Sequence, residues 1–307
     1  MPSPLFVSKE VEQALEQARP VVALESSLIS QGLPRPCNLE IALRSEALLR
    51  REGVTPATVA ILDGRAHVGL SEQQIERLAE HDEIAKVNLC NLPALLAKSE
   101  SGACTVAGTL WPASKAGVRV MATGGIGGVH RDVAHSMDIS SDLTALARYP
   151  MVVVSAGIKS VLALAETLEV LETLGVPVVG WKTSELPAFY CRASGCRLEM
   201  RVDSAEEVAA IERNAHAMGY PGAILVMNPI PVEDEIPRVE IEPWIEQALQ
   251  TATESGVRGK ALTPFLLSRL EQLSGRRTLE ANLALIENNV RRAAEIAKCV
   301  SKNIGQG

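Results

Sequence analysis

Lys159 follows the apolar run Met151–Ser155 and the small residues Ala156-Gly157-Ile158. An amine just past a buried strand loses hydration and becomes usable as a nucleophile. The alternative is a solvated lysine in the first turn of the next helix. Glu25 ends another apolar run, Pro20–Leu24, and reaches the same edge of a sheet. A partly desolvated carboxyl there suits general acid work; otherwise it accepts backbone N–H groups in the Ser26-Ser27 turn. Asp138 and Asp142 bracket Ser140 and Ser141. Such hard oxygen donors favour Mg²⁺ or Mn²⁺, for which one or two carboxylates plus waters suffice. Asp142 or Ser141 has the competing role of capping a helix over Leu143–Arg148. His130 and His135 have the spacing of a helical metal pair, but no His-Glu-x-x-His motif is present and glycines precede them, so zinc is not expected.

Between the two strands runs Thr123-Gly124-Gly125-Ile126-Gly127-Gly128. No Gly-Lys-Ser/Thr follows it, and its glycine spacing is not that of a dinucleotide fingerprint. It signals close backbone packing. With Thr123, His130 and Arg131 beside it, it also suits contact with a phosphate or sugar.

These residues need a scaffold that delivers strand ends to one edge. The pattern predicts strands at Pro20–Leu24, Pro56–Leu62, Ala66–Gly69, Thr105–Gly108, Val118–Ala122, Met151–Ser155, Pro177–Trp181 and Ala223–Met227, with Lys86–Leu89 as an edge strand or extended loop. Asp63-Gly64 marks a hairpin turn. Helices are predicted at 7–18, at Leu39–Glu52 with Asn38 as cap, from Ser71 (capped with Gln74) to Glu80, and at Pro93–Ser99, Trp111–Ala116, Leu162–Gly175 and Ser204–Gly219. After a polar, proline-bearing stretch, Glu235–Pro243, three more follow at Trp244–Ser255, Pro264–Leu273 (Thr263 as cap) and Leu279–Val300. Strands alternating with helices, then a helical tail, imply an α/β fold: three layers, α/β/α, with a mostly parallel central sheet and a helical C-terminal region. Residues 1–307 read as a single domain.

The chain has 307 residues, 47% hydrophobic and 22% charged, with a net charge of −7. That balance gives no basic footprint for a nucleic acid polymer. At 3% aromatics there is no base-stacking platform either. No apolar run reaches membrane-spanning length. The start MPSPLFVSKEVEQAL lacks the features of a signal peptide, so the cytoplasm is the expected compartment. Six scattered cysteines with no Cys-x-x-Cys pair read as reduced thiols.

Several blocks together carry a resemblance: ALESSLISQGLPRPCNLEIA, GVTPATVAILDG, TVAGTL, VMATGGIGGVHR, DISSDLTALAR, VVVSAGIKSVL, LPAFYCRASG, ILVMNPIP and LEANLALIENN. From about Val21 to Ala297 the chain resembles the pseudouridine-5'-phosphate glycosidases, the indigoidine-synthase-A-like family. The resemblance implies reversible cleavage of pseudouridine 5'-phosphate to uracil and ribose 5-phosphate. It implies that Lys159 is the nucleophile forming an adduct with C1' of the sugar, and that Glu25 is the proton donor. Asp138 matches the ligand of a divalent metal, usually Mn²⁺. Lys86, the backbone around Val106, and Ser140, Ser141 and Asp142 match substrate-binding positions. Thr123, His130 and Asn282 are counted with the same pocket. The implied assembly is a homotrimer.

The chemistry fits that assignment. A carbon leaving group is far poorer than the oxygen or nitrogen expelled by two-carboxylate glycosidases. An amine that opens the ribose and forms an iminium at C1' supplies the missing electron sink. Departures are Asp132 where glycine is commoner, Ser141 for alanine, Trp181-Lys182 for an aromatic–glycine pair, and Cys191 for serine. They touch substrate preference rather than reaction class. The rival readings are another Schiff-base lyase or aldolase acting on a sugar phosphate, and a non-catalytic sugar-phosphate sensor.

Overall fold

The computed structural model describes residues 3–81 and 84–304. Its first strands are β1 (Leu5–Val7), β2 (Val21–Glu25), β3 (Thr55–Leu62), β4 (Arg65–Val68), β5 (Ala85–Val87) and β6 (Gly102–Cys104). The chain continues through β7 (Val120–Ala122), β8 (Val129–His130), β9 (Val152–Ser155), β10 (Leu162–Ala163), β11 (Val178–Trp181), β12 (Met200–Val202) and β13 (Ile224–Met227). Nine strands lie in the order β1-β4-β3-β2-β7-β9-β13-β11-β12, with β6 joining β3 to β5; β8 and β10 form a separate ribbon. Pairing is parallel except where β3 meets β4 and β6, and in the β8–β10 ribbon. Every residue of β2, β3, β9 and β13 is buried. Helices cover both faces of such a sheet, which is why these strands read as unbroken apolar runs. The β3–β4 hairpin turns on Asp63 and Gly64, both with positive φ (50° and 75°), as a tight hairpin turn requires.

Before the sheet's midpoint in sequence come α1 (Lys9–Glu16), α2 (Cys37–Arg51), α3 (Glu72–Glu80), α4 (Leu92–Ala97) and α5 (Val106–Ala116). The short α6 (Val133–Ser136) and α7 (Ser141–Leu146) precede α8 (Leu164–Thr173), α9 (Ala205–Ala217), α10 (Arg238–Glu254), α11 (Leu262–Leu273) and α12 (Arg277–Ile304). The long α12 lies across β2, β7 and β9 and also packs on α2 and α9, while α1 and α5 pack on β2 and β3. The result is the expected mostly parallel central sheet with helices around it and a helical C-terminal region.

Five local expectations need correction. Thr105–Gly108 is not a strand: β6 stops at Cys104, and Thr105 caps α5 by accepting the Gly108 N–H. Trp111–Ala116 is only the second half of that helix. Asn38 caps nothing; it lies inside α2 and donates to the carbonyls of Ile29 and Ala79. The stretch Glu235–Pro243 is helical from Arg238 onward, with Pro243 inside α10. Proline there removes the bond to the Val239 carbonyl, at a residue that is 84% exposed. Thr263 likewise lies within α11 rather than capping it. The Ser71–Gln74 capping box forms as expected.

β2 has β3 on one side and β7 on the other. The chain leaves β2 toward β3 and β4, then returns to β7 on the opposite flank. That reversal makes a crevice beyond the carboxyl ends of β2 and β7, the usual ligand position in an open α/β sheet.

Candidate active site

A cavity of about 170 Å³ opens at that crevice. Glu25 enters it from the end of β2, and Lys159 from the turn after β9. Of the residues singled out in the sequence, Lys86, Val106, His130, Asp138, Ser140, Ser141 and Asp142 also line it. Residues about 130 positions apart in the chain therefore share one wall, because β2, β7 and β9 are adjacent and parallel.

Lys159 is held by its backbone. Its N–H donates to the Ile126 carbonyl at 3.1 Å, and its own carbonyl accepts from Leu162 at 3.0 Å. Ile126 and Ile158 form a parallel bridge, so the glycine-rich segment runs beside the strand extension that carries the lysine. Gly157 is essential to this path. Its φ is +104°, and a Cβ there would sit 1.9 Å from the Pro187 carbonyl oxygen.

Glu25 is buried, with 6% of its surface exposed. Both carboxylate oxygens accept hydroxyl protons: Oε1 from Thr123, and Oε2 from Ser27 at 2.5 Å. Beneath it lies Cys104, whose thiol is pushed far up by burial, with the nearby Glu25 charge adding to the effect. Thr123 thus meets the acid rather than the cavity wall. It borders a smaller apolar void between β2, α2 and α12.

The opposite wall comes from the N-terminal ends of α5 and α7. Asp142 is buried, and its carboxylate accepts the N–H groups of Ala107 and Gly127, each at 2.9 Å. Ser140 caps α7 by accepting the Asp142 N–H at 3.2 Å. A Cβ on Gly127 would lie 2.3 Å from the Ser140 hydroxyl and 2.9 Å from Asp142 Oδ2. Close packing, not a left-handed backbone, is what requires glycine there. Gly125 and Gly128 are closed in the same way by Phe189 and Thr167. Thr105 and Val106 begin α5 at the cavity, and Lys86 stands on the neighbouring β5. The Ala107 and Gly108 N–H groups at the start of α5 are already taken by Asp142 and Thr105, so the Lys86 ammonium is the group on this wall best suited to a phosphate.

Asp138 has a side chain 30% exposed and an oxygen 3.8 Å from Nε2 of the buried His130. Among the described residues, no group of three or more His, Cys, Asp and Glu is placed to hold a metal. A single hard carboxylate at a polar cavity still fits Mn²⁺ or Mg²⁺, which keep several waters and take oxygens from a substrate. His135 is exposed on α6, on the wall of an outer cavity that His130 and Asp138 also line.

Besides Thr123, two of the expected residues stand away from the main cavity. Asn282 lines a neighbouring cavity of about 300 Å³, which shares Gln31, Gly32, Pro264 and Leu267 with the main one. Arg131 turns away to pair with Glu242 at 2.6 Å and to donate to the Ser160 carbonyl at 3.0 Å. Conversely, Ser27, Gln31, Asn88 and Thr105 line the cavity without having been singled out as ligands. Only Ser27, beside Glu25 in sequence, carried a signal.

The profile of the indigoidine synthase A-like protein family matches residues 10–299. A pseudouridine-5'-phosphate glycosidase of Paracoccus denitrificans is 48% identical over 303 residues, covering 98% of this chain and 100% of that relative. One from Caldanaerobacter subterraneus is 46% identical over 296 residues, covering 96% of each. Among solved structures, the prealnumycin C-glycosynthase AlnA in complex with ribulose 5-phosphate superposes with a TM-score of 0.91 at 37% identity, with 100% of both chains covered. An indigoidine synthase A-like protein from Thermotoga maritima gives 0.89 at 36% identity, covering 98% of each chain. On a match that spans nearly its whole length, the chain belongs to the indigoidine synthase A-like protein family.

Proposed function

We propose that this protein is an enzyme that reversibly cleaves the C-glycosidic bond of pseudouridine 5'-phosphate, releasing uracil and ribose 5-phosphate. The observation that carries the reading is the convergence of Lys159 and Glu25 on one polar cavity at the β2–β7 crevice. The relatives named above support the substrate, and the bound ribulose 5-phosphate of AlnA supports a five-carbon sugar phosphate.

The phosphate lies against the start of α5 at Val106, with Lys86, Ser140 and Ser141 around it. Asp142 keeps that wall in place through Ala107 and Gly127. The sugar then spans the cavity toward Lys159. As the ring opens, the C1'–O4' bond breaks, Lys159 Nζ bonds to C1', and the proton that Nζ loses passes to O4'. Glu25 delivers a proton to the uracil carbon. The C1'–uracil bond breaks as the nitrogen lone pair forms an iminium at C1'. Water then adds to C1', and the C–N bond breaks to return the lysine and free ribose 5-phosphate. His130 and Asn282 line the pocket and its neighbour as polar contacts. Asp138 would hold a divalent cation, Mn²⁺ or another, which when bound would supply charge neutralisation and ordered water near the substrate. A cytoplasmic homotrimer that needs neither nucleic acid polymer nor membrane completes the proposal. Among the described residues no helix is long and apolar enough to cross a membrane.

The test is chromatography of pseudouridine 5'-phosphate incubated with the protein. Uracil and ribose 5-phosphate should appear in equal amounts. Sugar-phosphate breakdown without uracil points to another Schiff-base lyase, and ligand binding without turnover to a sensor. A second reading, C-glycoside formation with a different aglycone, is favoured by the name of the AlnA relative. It predicts adduct formation with ribose 5-phosphate but no uracil release.

A further inference from the structure

The structure assigns Asn289 a positioning role for Glu25, exerted through Thr123. This rests on the reading of Glu25 as the proton donor. Asn289 lies on α12 and is 0% exposed. Its Nδ2 donates to the carbonyls of Thr123 at 2.8 Å and Gly124 at 3.2 Å. Its Oδ1 accepts from Nδ2 of the buried Asn228 at 2.9 Å. That contact fixes which way the amide faces: flipped, it would set donor against donor and oxygen against two carbonyls. Asn228 is itself anchored, its N–H donating to the Ser155 carbonyl at 2.8 Å.

Ser155 ends β9, four residues before Lys159. Thr123 follows β7, and its hydroxyl donates to Glu25 Oε1. One buried amide from the C-terminal helix therefore ties the strand end that leads to the lysine to the turn whose hydroxyl holds the acid. Neither asparagine lines the main cavity. A buried network of this kind specifies one geometry, since every broken link strands a buried polar group. Small displacements of a proton donor slow a reaction far more than they weaken binding.

The experiment is steady-state uracil release by Asn289→Leu, Thr123→Val and the double variant, with thermal melts to confirm folding. In Asn289→Leu, kcat is expected to fall about tenfold to a hundredfold with KM within about threefold. In the Thr123→Val background, the same substitution should cost less than about twofold, because its route to Glu25 is already cut. Should Asn289→Leu fail to fold, Asn228→Ala removes only the orienting partner, and it should show a smaller kcat loss with the same dependence on Thr123. Equal losses in both backgrounds, or an unchanged kcat, overturn the inference while leaving the proposed reaction standing. No uracil release by the unsubstituted protein overturns the reaction, and this inference with it.

Discussion

The carboxylate of Asp142 accepts the backbone N–H of Gly127 at 2.9 Å, while its other oxygen accepts that of Ala107. A single buried acid thus joins the glycine-rich segment to the start of α5. Asp142→Asn places an amide donor against one of those N–H groups. Stability should fall by about 1–3 kcal/mol, the cost of an unpaired buried donor. Because the wall proposed to hold the phosphate is disturbed rather than the chemistry, KM should rise about tenfold with kcat within about threefold. Denaturant titration and steady-state kinetics check both. A purely kcat effect contradicts the assignment.

Gly157 allows the chain to pass the Pro187 carbonyl and turn Lys159 into the cavity. Gly157→Ala combines a φ of +104° with a Cβ 1.9 Å from that oxygen. A loss of about 1–3 kcal/mol is expected from backbone strain alone, and the folded fraction should lose most of its activity. A variant as stable and active as the parent contradicts this account of the turn.

The chemistry-bearing strand ends were legible in the sequence because an apolar run followed by Glu25 or by Ala-Gly-Ile-Lys159 has few structural readings. The wall opposite was not. Thr105–Val106 begins with β-branched residues and reads as strand. In the fold Thr105 caps α5, where Gly108 lets the helix approach the Val87 carbonyl to within 2.6 Å of where a Cβ would sit. Asn38 carries a cap's residue type, yet its amide is drawn to Ile29 and Ala79. β12, a short half-exposed edge strand at Met200–Val202, has no periodic signal. Asp142 looked like a cap or a ligand. Its real partners, Ala107 and Gly127, are 35 and 15 residues away, and only the tertiary structure brings them together.

Thiol reactivity should follow burial. Burial, with Glu235 nearby, pushes Cys191 up to about 12, and Cys104 is driven up still further. At pH 8 the Cys191 thiolate is about one part in ten thousand, so alkylation there is slow. Cys90 is exposed. Mass spectrometry of iodoacetamide-treated native protein should find Cys90 modified first, with Cys104 and Cys191 reacting only on unfolding. Early labelling of Cys104 contradicts the packing beneath Glu25.

Chelation should abolish uracil release, and Mn²⁺ should restore it. In Asp138→Ala the concentration of Mn²⁺ needed for half-maximal activity should rise at least about tenfold, within the range seen when metal-site contacts are lost. Full activity in excess chelator contradicts a metal at Asp138.

The central claim is that Lys159 is the nucleophile. Incubation with ribose 5-phosphate and borohydride, followed by peptide mass spectrometry, tests it most directly. A stable sugar-phosphate adduct on Lys159, absent from Lys159→Ala, is the predicted result. An adduct on another lysine, or none from a protein that releases uracil, contradicts it.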